Sequence, residues 1–214
     1  MNKADARRLM EEWTKGESLR KHALSVAFCC ESYGRKEAAR LGLEGEAAEK
    51  FADRYACAGL LHDFDYERHP SAEEHPFVGV AYLREHGWPE EMLHALLAHA
   101  DYSGVQPETH LDRALFACDE LAGFLTACAL VKPTKAIGDV EAKSAVKKMK
   151  DKGFARAVKR EDMTHGAELL GLPLEEHVAN CLAAMQLNAG ELGLQRLESG
   201  ARSSANTEIL ASPE

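Results

Sequence analysis

The sequence predicts an all-α protein folded as a single domain, and three observations predict it. Apolar residues recur at offsets of three and four along nearly the whole chain. Runs that alternate apolar and polar residues between turn signals, the mark of half-buried strands, do not occur. With 45% hydrophobic and 29% charged residues over 214 positions, the chain has ordinary globular composition and the length for one sizeable core.

The elements follow in order. A first helix covers about 3–14. A second starts after Gly16 with Ser18 as its N-cap and runs to Leu41, before Gly42. A third covers about 46–61. The stretch HDFDYERHPSAEEHP (62–76), dense in acids, histidines and prolines, reads as a loop, with a new helix from about Glu74 to His86. Pro89 suits the first position of a helix reaching Ala100, and a longer helix over about 111–131 is stopped by Pro133. Two or three short helices fill the segment up to Phe154. Another covers 161–170, ending at Gly171, and the last spans about 173–197. The small polar residues of 199–214 predict a disordered tail. The domain is thus expected over 1–198, with a core at about 18–131 and a C-terminal helical part at about 132–198.

Charge and composition exclude several classes. The start is charged from Lys3 onward without an apolar h-region, and no segment approaches the roughly 18 apolar residues of a membrane span. A cytoplasmic protein without membrane partners is expected. The six cysteines lie in helical patterns without CxxC spacing, so they read as reduced, small apolar residues rather than as a zinc ribbon or redox motif. A net charge of -9 argues against general nucleic-acid binding, yet residues 132–160 hold ten Lys and Arg against three acids. That basic segment reads either as a solvated helix face or as an attractor of phosphate.

Chemistry enters through polar residues on faces that ought to be apolar. His22 shares a helix face with Leu19, Val26 and Cys29; His62 follows Tyr55, Ala58 and Gly59 at the corresponding offsets; Asp119 shares its face with Leu115, Phe116, Ala122 and Thr126. A carboxylate inside an apolar stripe needs a cation partner, and a metal serves. Imidazole nitrogen with carboxylate oxygen suits Mn, Fe, Co, Ni or Zn without choosing among them. Taken singly, each residue also reads as a core histidine bonded to a carbonyl or an aspartate paired with arginine.

The order of these residues is informative: His22, then His62 and Asp63 ending the apolar helix AGLLHDFDYE, then Asp119 in LFACDELAG. It resembles the HD-domain superfamily of metal-dependent phosphohydrolases. His75 and Gly79 in an HxxxG arrangement, and His99 in ALLAHADYSG, extend the likeness to members that hold two metals. Over about residues 1–187 the chain is similar to small bacterial HD-domain proteins described as predicted hydrolases. The resemblance implies a helical bundle of the HD type. It further implies one or two divalent ions held by His22, His62, Asp63, His75, His99 and Asp119, with Asp63 as a bridge. The implied reaction is hydrolysis of a phosphate ester, in a nucleotide or another small phosphorylated metabolite, by a water whose pKa the metal lowers from about 15.7 toward 7.

Asp65 and Glu67, two and four residues after Asp63, stand as candidates for proton transfer beside Asp63, or as ordinary loop acids. Some nucleotidases of the superfamily carry Glu three residues after the Asp; here that position is Tyr66, which weighs against that subgroup. No GYP follows the HD pair, so the cyclic-dinucleotide phosphodiesterase subgroup is not indicated. Lys132 and Lys135 are candidates to reach substrate phosphate. His69 is an alternative to His75 as a ligand; His94, about 140° around its helix from His99, does not face the same centre, and His86, His110, His165 and His177 read as surface or cap residues. Two other readings use the same ligands: an oxygen-activating di-iron enzyme, and a non-catalytic metal- or nucleotide-binding module.

Overall fold

The computed structural model describes residues 2–196, and the tail expected at 199–214 lies outside them. Among the described residues there are ten α-helices and no strand. They are α1 (Lys3–Trp13), α2 (Glu17–Arg40), α3 (Gly45–Leu61), α4 (Phe77–Glu85), α5 (Glu90–Ala98), α6 (His110–Leu130), α7 (Ala142–Lys148), α8 (Arg160–Leu169), α9 (Leu174–Leu187) and α10 (Ala189–Leu192). None of these is long and apolar enough to cross a membrane.

Helices α2 and α3 form the pair on which the site is built. They run antiparallel, Gly34 meeting Ala52 and Gly59 meeting Ala27. A Cβ at Gly59 would stand 2.5 Å from the Ala27 Cα. Glycine is therefore what lets the two backbones approach where α3 hands over to His62. Helix α6, entered through a capping box of Thr109 and Asp112, packs against α2, α5, α8 and α9. It places Asp119 opposite the end of α3.

Several boundaries differ from expectation. Ser18 is not the cap of α2; Gly16 is, and the carboxylate of Glu67 takes the backbone N–H groups of Lys15 (2.9 Å) and Gly16 (2.8 Å) instead. Helix α4 begins at Phe77 because Pro76 occupies its N-cap, and Pro89 likewise caps α5 rather than starting it. The last helix breaks at Asn188, whose backbone (φ -113°, ψ 20°) leaves the helical range between α9 and α10.

All six cysteines are buried and free. Cys118 and Cys181 bring their sulfurs to 4.0 Å, about twice a disulfide bond. His177, expected at the surface, is wholly buried. Its Nε2 donates to the Ala117 carbonyl at 2.9 Å, and its Nδ1 accepts from the Tyr33 hydroxyl at 2.6 Å.

Candidate metal centre

Six residues from five stretches of chain converge between α2, α3 and α6. His22 comes from the second turn of α2, and His62 and Asp63 follow α3. His75 precedes α4, His99 ends α5, and Asp119 lies in α6. They form two groups whose ligand atoms lie within 4.8 Å of one another: His22, His62 and Asp119 in one, Asp63, His75 and His99 in the other. In the first, His22 Nε2 is 2.9 Å from Asp119 Oδ1 and 3.2 Å from His62 Nε2, and His62 Nε2 is 3.5 Å from Asp119 Oδ1.

Asp63 belongs to both groups. Its Oδ2 faces the first, 3.3 Å from His62 Nε2 and 3.9 Å from His22 Nε2. Its Oδ1 faces the second, 3.2 Å from His75 Nε2 and 3.5 Å from His99 Nε2.

The rings are oriented by bonds on their far sides. His62 donates from Nδ1 to the Gly59 carbonyl (2.8 Å), His99 from Nδ1 to the Leu96 carbonyl (2.6 Å) and His75 from Nδ1 to Asp65 Oδ1 (2.7 Å). A ring that spends its one proton there turns the Nε2 lone pair inward. Those lone pairs then face carboxylate oxygens, an arrangement that repels unless positive charge lies between them. The donor set therefore fits divalent cations, and the separations agree, since neighbouring donors around an ion at about 2.1 Å stand roughly 3 Å apart.

Electrostatics says the same. Burial opposes charge on His62, but the carboxylates of Asp63 and Asp119 outweigh it and hold the imidazole well above its usual pKa. Burial likewise opposes charge on His75, and the bonds to Asp63 and Asp65 overcome it, lifting its pKa to about 9. Asp119 is driven below the usual carboxylate range by His62 and His22 in spite of burial. The pocket stabilises positive charge.

The other candidates fall in different places. Asp65 is 1% exposed, with one oxygen on His75 and the other accepting the Gly79 N–H at 2.7 Å. A Cβ at residue 79 would stand 2.7 Å from that oxygen, which explains the glycine of HxxxG. Asp65 thus positions His75 and has no free oxygen toward the centre, and Glu67 is spent on the α2 N-terminus. Neither stands where a proton-transfer group would, which corrects that expectation.

His69 lies against Glu74 at 3.3 Å, and it is His75 that stands with Asp63 and His99 in the second group. His94 pairs with Asp112 at 2.9 Å, away from the centre.

Two cavities meet the six residues. The smaller, about 160 Å³, is lined by Asp63, His75, His99 and Asp119, with Tyr66 and Tyr102 also on its wall. Its lining cation is Lys159, not Lys132 or Lys135. The two expected lysines follow the end of α6, three turns beyond Asp119. Lys159 Nζ lies 3.1 Å from Asp101 and 3.7 Å from Asp162. Glu120, also on the rim, has its pKa raised to about 7 by burial and by neighbouring Asp119. Lys159 carried no signal in sequence beyond the basic segment itself, because it and Asp162 are brought to this cavity by the packing of α8 on α6.

The family model described as HD domain matches residues 19–123. Ribonuclease Y of Desulfotalea psychrophila (strain LSv54 / DSM 12343) is 31% identical over 117 residues, 54% of this chain and 20% of that protein. The chain thus corresponds to a minor part of that relative's length. No solved structure gives a match.

Proposed function

Since residues 19–123 match the family model described as HD domain, we propose that this protein is a metal-dependent phosphohydrolase that cleaves a phosphate ester of a small metabolite. The observation that carries the reading is Asp63, whose two oxygens face two separate ligand groups. A carboxylate so shared suits a pair of ions acting together on one phosphoryl group.

His22, His62 and Asp119 would hold one ion and His75 and His99 the other. Bound divalent cations supply Lewis acidity, bringing the pKa of a water toward neutrality and offsetting charge on phosphoryl oxygens. The chain's own residues do the rest. Asp65 fixes the tautomer of His75, and the carbonyls of Gly59 and Leu96 do so for His62 and His99. The side chains of His62, His75 and His99 are at most 4% exposed, whereas those of His22, Asp63 and Asp119 are 21–24% exposed. Substrate would therefore approach over the two carboxylates, Asp63 and Asp119, which line one cavity with Lys159, so that Lys159 at the rim can meet a phosphoryl oxygen.

The test is a screen of phosphomonoesters, phosphodiesters and nucleotides with Mn, Co, Ni, Zn and Mg, run with and without oxygen. Phosphate release that needs metal, persists anaerobically and is lost in folded Asp63→Ala and Asp119→Ala supports the reading. Turnover that requires iron and consumes oxygen replaces it with the oxidative one.

A further inference from the structure

Three of the four histidines at the centre are held from behind by the protein itself: His62 by the Gly59 carbonyl, His99 by the Leu96 carbonyl and His75 by Asp65. His22 is the exception. Its Nε2 faces Asp119 and His62, and among the described residues no protein group accepts from its Nδ1. Behind that ring lies a cavity of about 590 Å³, between the first turns of α2, the second half of α6 and residues 192–194. Gly123 stands where ring and cavity meet: a Cβ there would be 3.9 Å from Nδ1 and 4.0 Å from Cε1, so no side chain screens that edge of the imidazole. This cavity shares no lining residue with the one at Asp63 and Asp119.

A histidine that binds an ion through Nε2 carries its proton on Nδ1, and the acceptor of that proton fixes the ring and strengthens its hold on the metal. For His22 the acceptor comes from what occupies the cavity. Small-molecule sites span some 300–1,000 Å³ and combine apolar walls with a few placed polar groups, and this wall offers both. Leu19, Leu130, Leu192 and Leu194 are a poor setting for water and a good one for an alkyl chain. Lys21 brings positive charge to the same wall, and its Nζ lies 3.0 Å from where a Cβ on Gly193 would stand. Lys21 is paired with Glu17 at 2.6 Å, but the two side chains are 41% and 80% exposed, and such a surface pair gives way easily to a better partner.

We propose that this cavity is a second binding site, for a small carboxylic acid with an apolar tail. Its carboxylate accepts from His22 Nδ1 and pairs with Lys21, while the tail lies on the leucines. Bound there, it does for His22 what Asp65 does for His75, and tightens the first ion from behind. This site is separate from the hydrolytic reading and rests only on His22 being a metal ligand. Coupling is reciprocal, so carboxylate and ion raise each other's affinity by one factor, about 10–100-fold for a partner of this kind.

The test uses the full chain and octanoate as probe, with acetate, which lacks the tail, and octanamide, which lacks the charge, beside it. Titration calorimetry measures binding to metal-free protein and to protein loaded with Mn, Co or Zn, with and without saturating inorganic phosphate. Chelator competition measures metal affinity with and without octanoate. Thr126→Phe fills the cavity from α6 and Lys21→Met removes its charge, each first shown to have wild-type helical circular dichroism.

Octanoate is expected to bind at least tenfold tighter than acetate or octanamide, undiminished by phosphate, and at least tenfold tighter to loaded than to metal-free protein. It should raise the affinity of one ion by that same factor. Thr126→Phe should abolish both effects and keep the metal affinity that wild type has without octanoate; Lys21→Met should weaken octanoate at least tenfold and leave octanamide unchanged. No octanoate binding, displacement by phosphate, binding indifferent to Thr126→Phe, or metal affinity indifferent to octanoate would each overturn the proposal. Failure of the metal reading looks different: the chain holds none of the three ions, and the coupling falls with it.

Discussion

Replacing Asp65 by Asn would test how the second ligand group is held. Asp65 is buried and takes two hydrogen bonds, from His75 Nδ1 and from the Gly79 N–H, each at 2.7 Å. The amide keeps the shape but turns one acceptor into a donor. With its oxygen on His75, its NH₂ faces the Gly79 N–H; flipped, it faces the His75 ring and favours the tautomer whose Nε2 carries the proton, the wrong one for a ligand. In the first orientation the buried Gly79 N–H loses its acceptor, at a cost of about 1–3 kcal/mol; in the second the hydrogen bonds survive and the cost falls on metal binding.

Loss of a carboxylate supporting a ligand histidine also typically lowers metal affinity 10–100-fold, or about 1.4–2.7 kcal/mol. Chelator competition with elemental analysis should find one ion weakened by that factor and the other held as in wild type, and thermal unfolding should shift downward. A folded Asp65→Asn protein that binds two ions with wild-type affinity would refute the positioning role.

Three further outcomes are expected. Lys159→Ala should raise KM about tenfold with a smaller change in kcat, and Lys132→Ala with Lys135→Ala should not, because only Lys159 lines the cavity at the centre; steady-state kinetics on one phosphomonoester separates them. Gly59→Ala should destabilise by about 1–3 kcal/mol or more, since the new Cβ meets backbone atoms of Ala27 at 2.5 and 2.7 Å; urea unfolding of the metal-loaded protein reads this directly. His177 is held neutral by burial, which lowers its pKa from 6.5. Above that value both folded and unfolded chains are uncharged there, and as pH falls through about 6.5 only the unfolded chain takes the proton. Wild type should therefore lose stability relative to His177→Phe between pH 7 and 5, with a limiting slope of about 1.4 kcal/mol per pH unit, and parallel pH curves would sink the assignment.

The helical class and the six residues that converge in two groups were legible in the sequence because both rest on local pattern. Helical period shows as spacing, and a histidine or aspartate on an apolar face, such as His22 or Asp119, is anomalous in its own few turns. The resemblance to the HD family rested on those same residues in order. Helix ends were read less well, because several depend on distant partners: Ser18 looks like a cap until the Glu67 carboxylate, fifty residues on, is seen to occupy the N-terminus of α2.

What tertiary structure decided is which groups face which. Asp65, Glu67 and Asp63 are neighbours in a short acidic run, and no local rule tells them apart. The fold gives Asp63 to both ligand groups, Asp65 to His75 and Glu67 to the backbone of residues 15 and 16. Lys159 reaches the centre and Lys132 does not, because α8 folds back on α6 while the end of α6 points away. His177, polar in composition, is core in fact, since Tyr33 and the Ala117 carbonyl satisfy both its nitrogens. Sequence specifies such groups and their periodicity; the partner that satisfies a buried charge or donor comes from another part of the chain, and only packing brings it there.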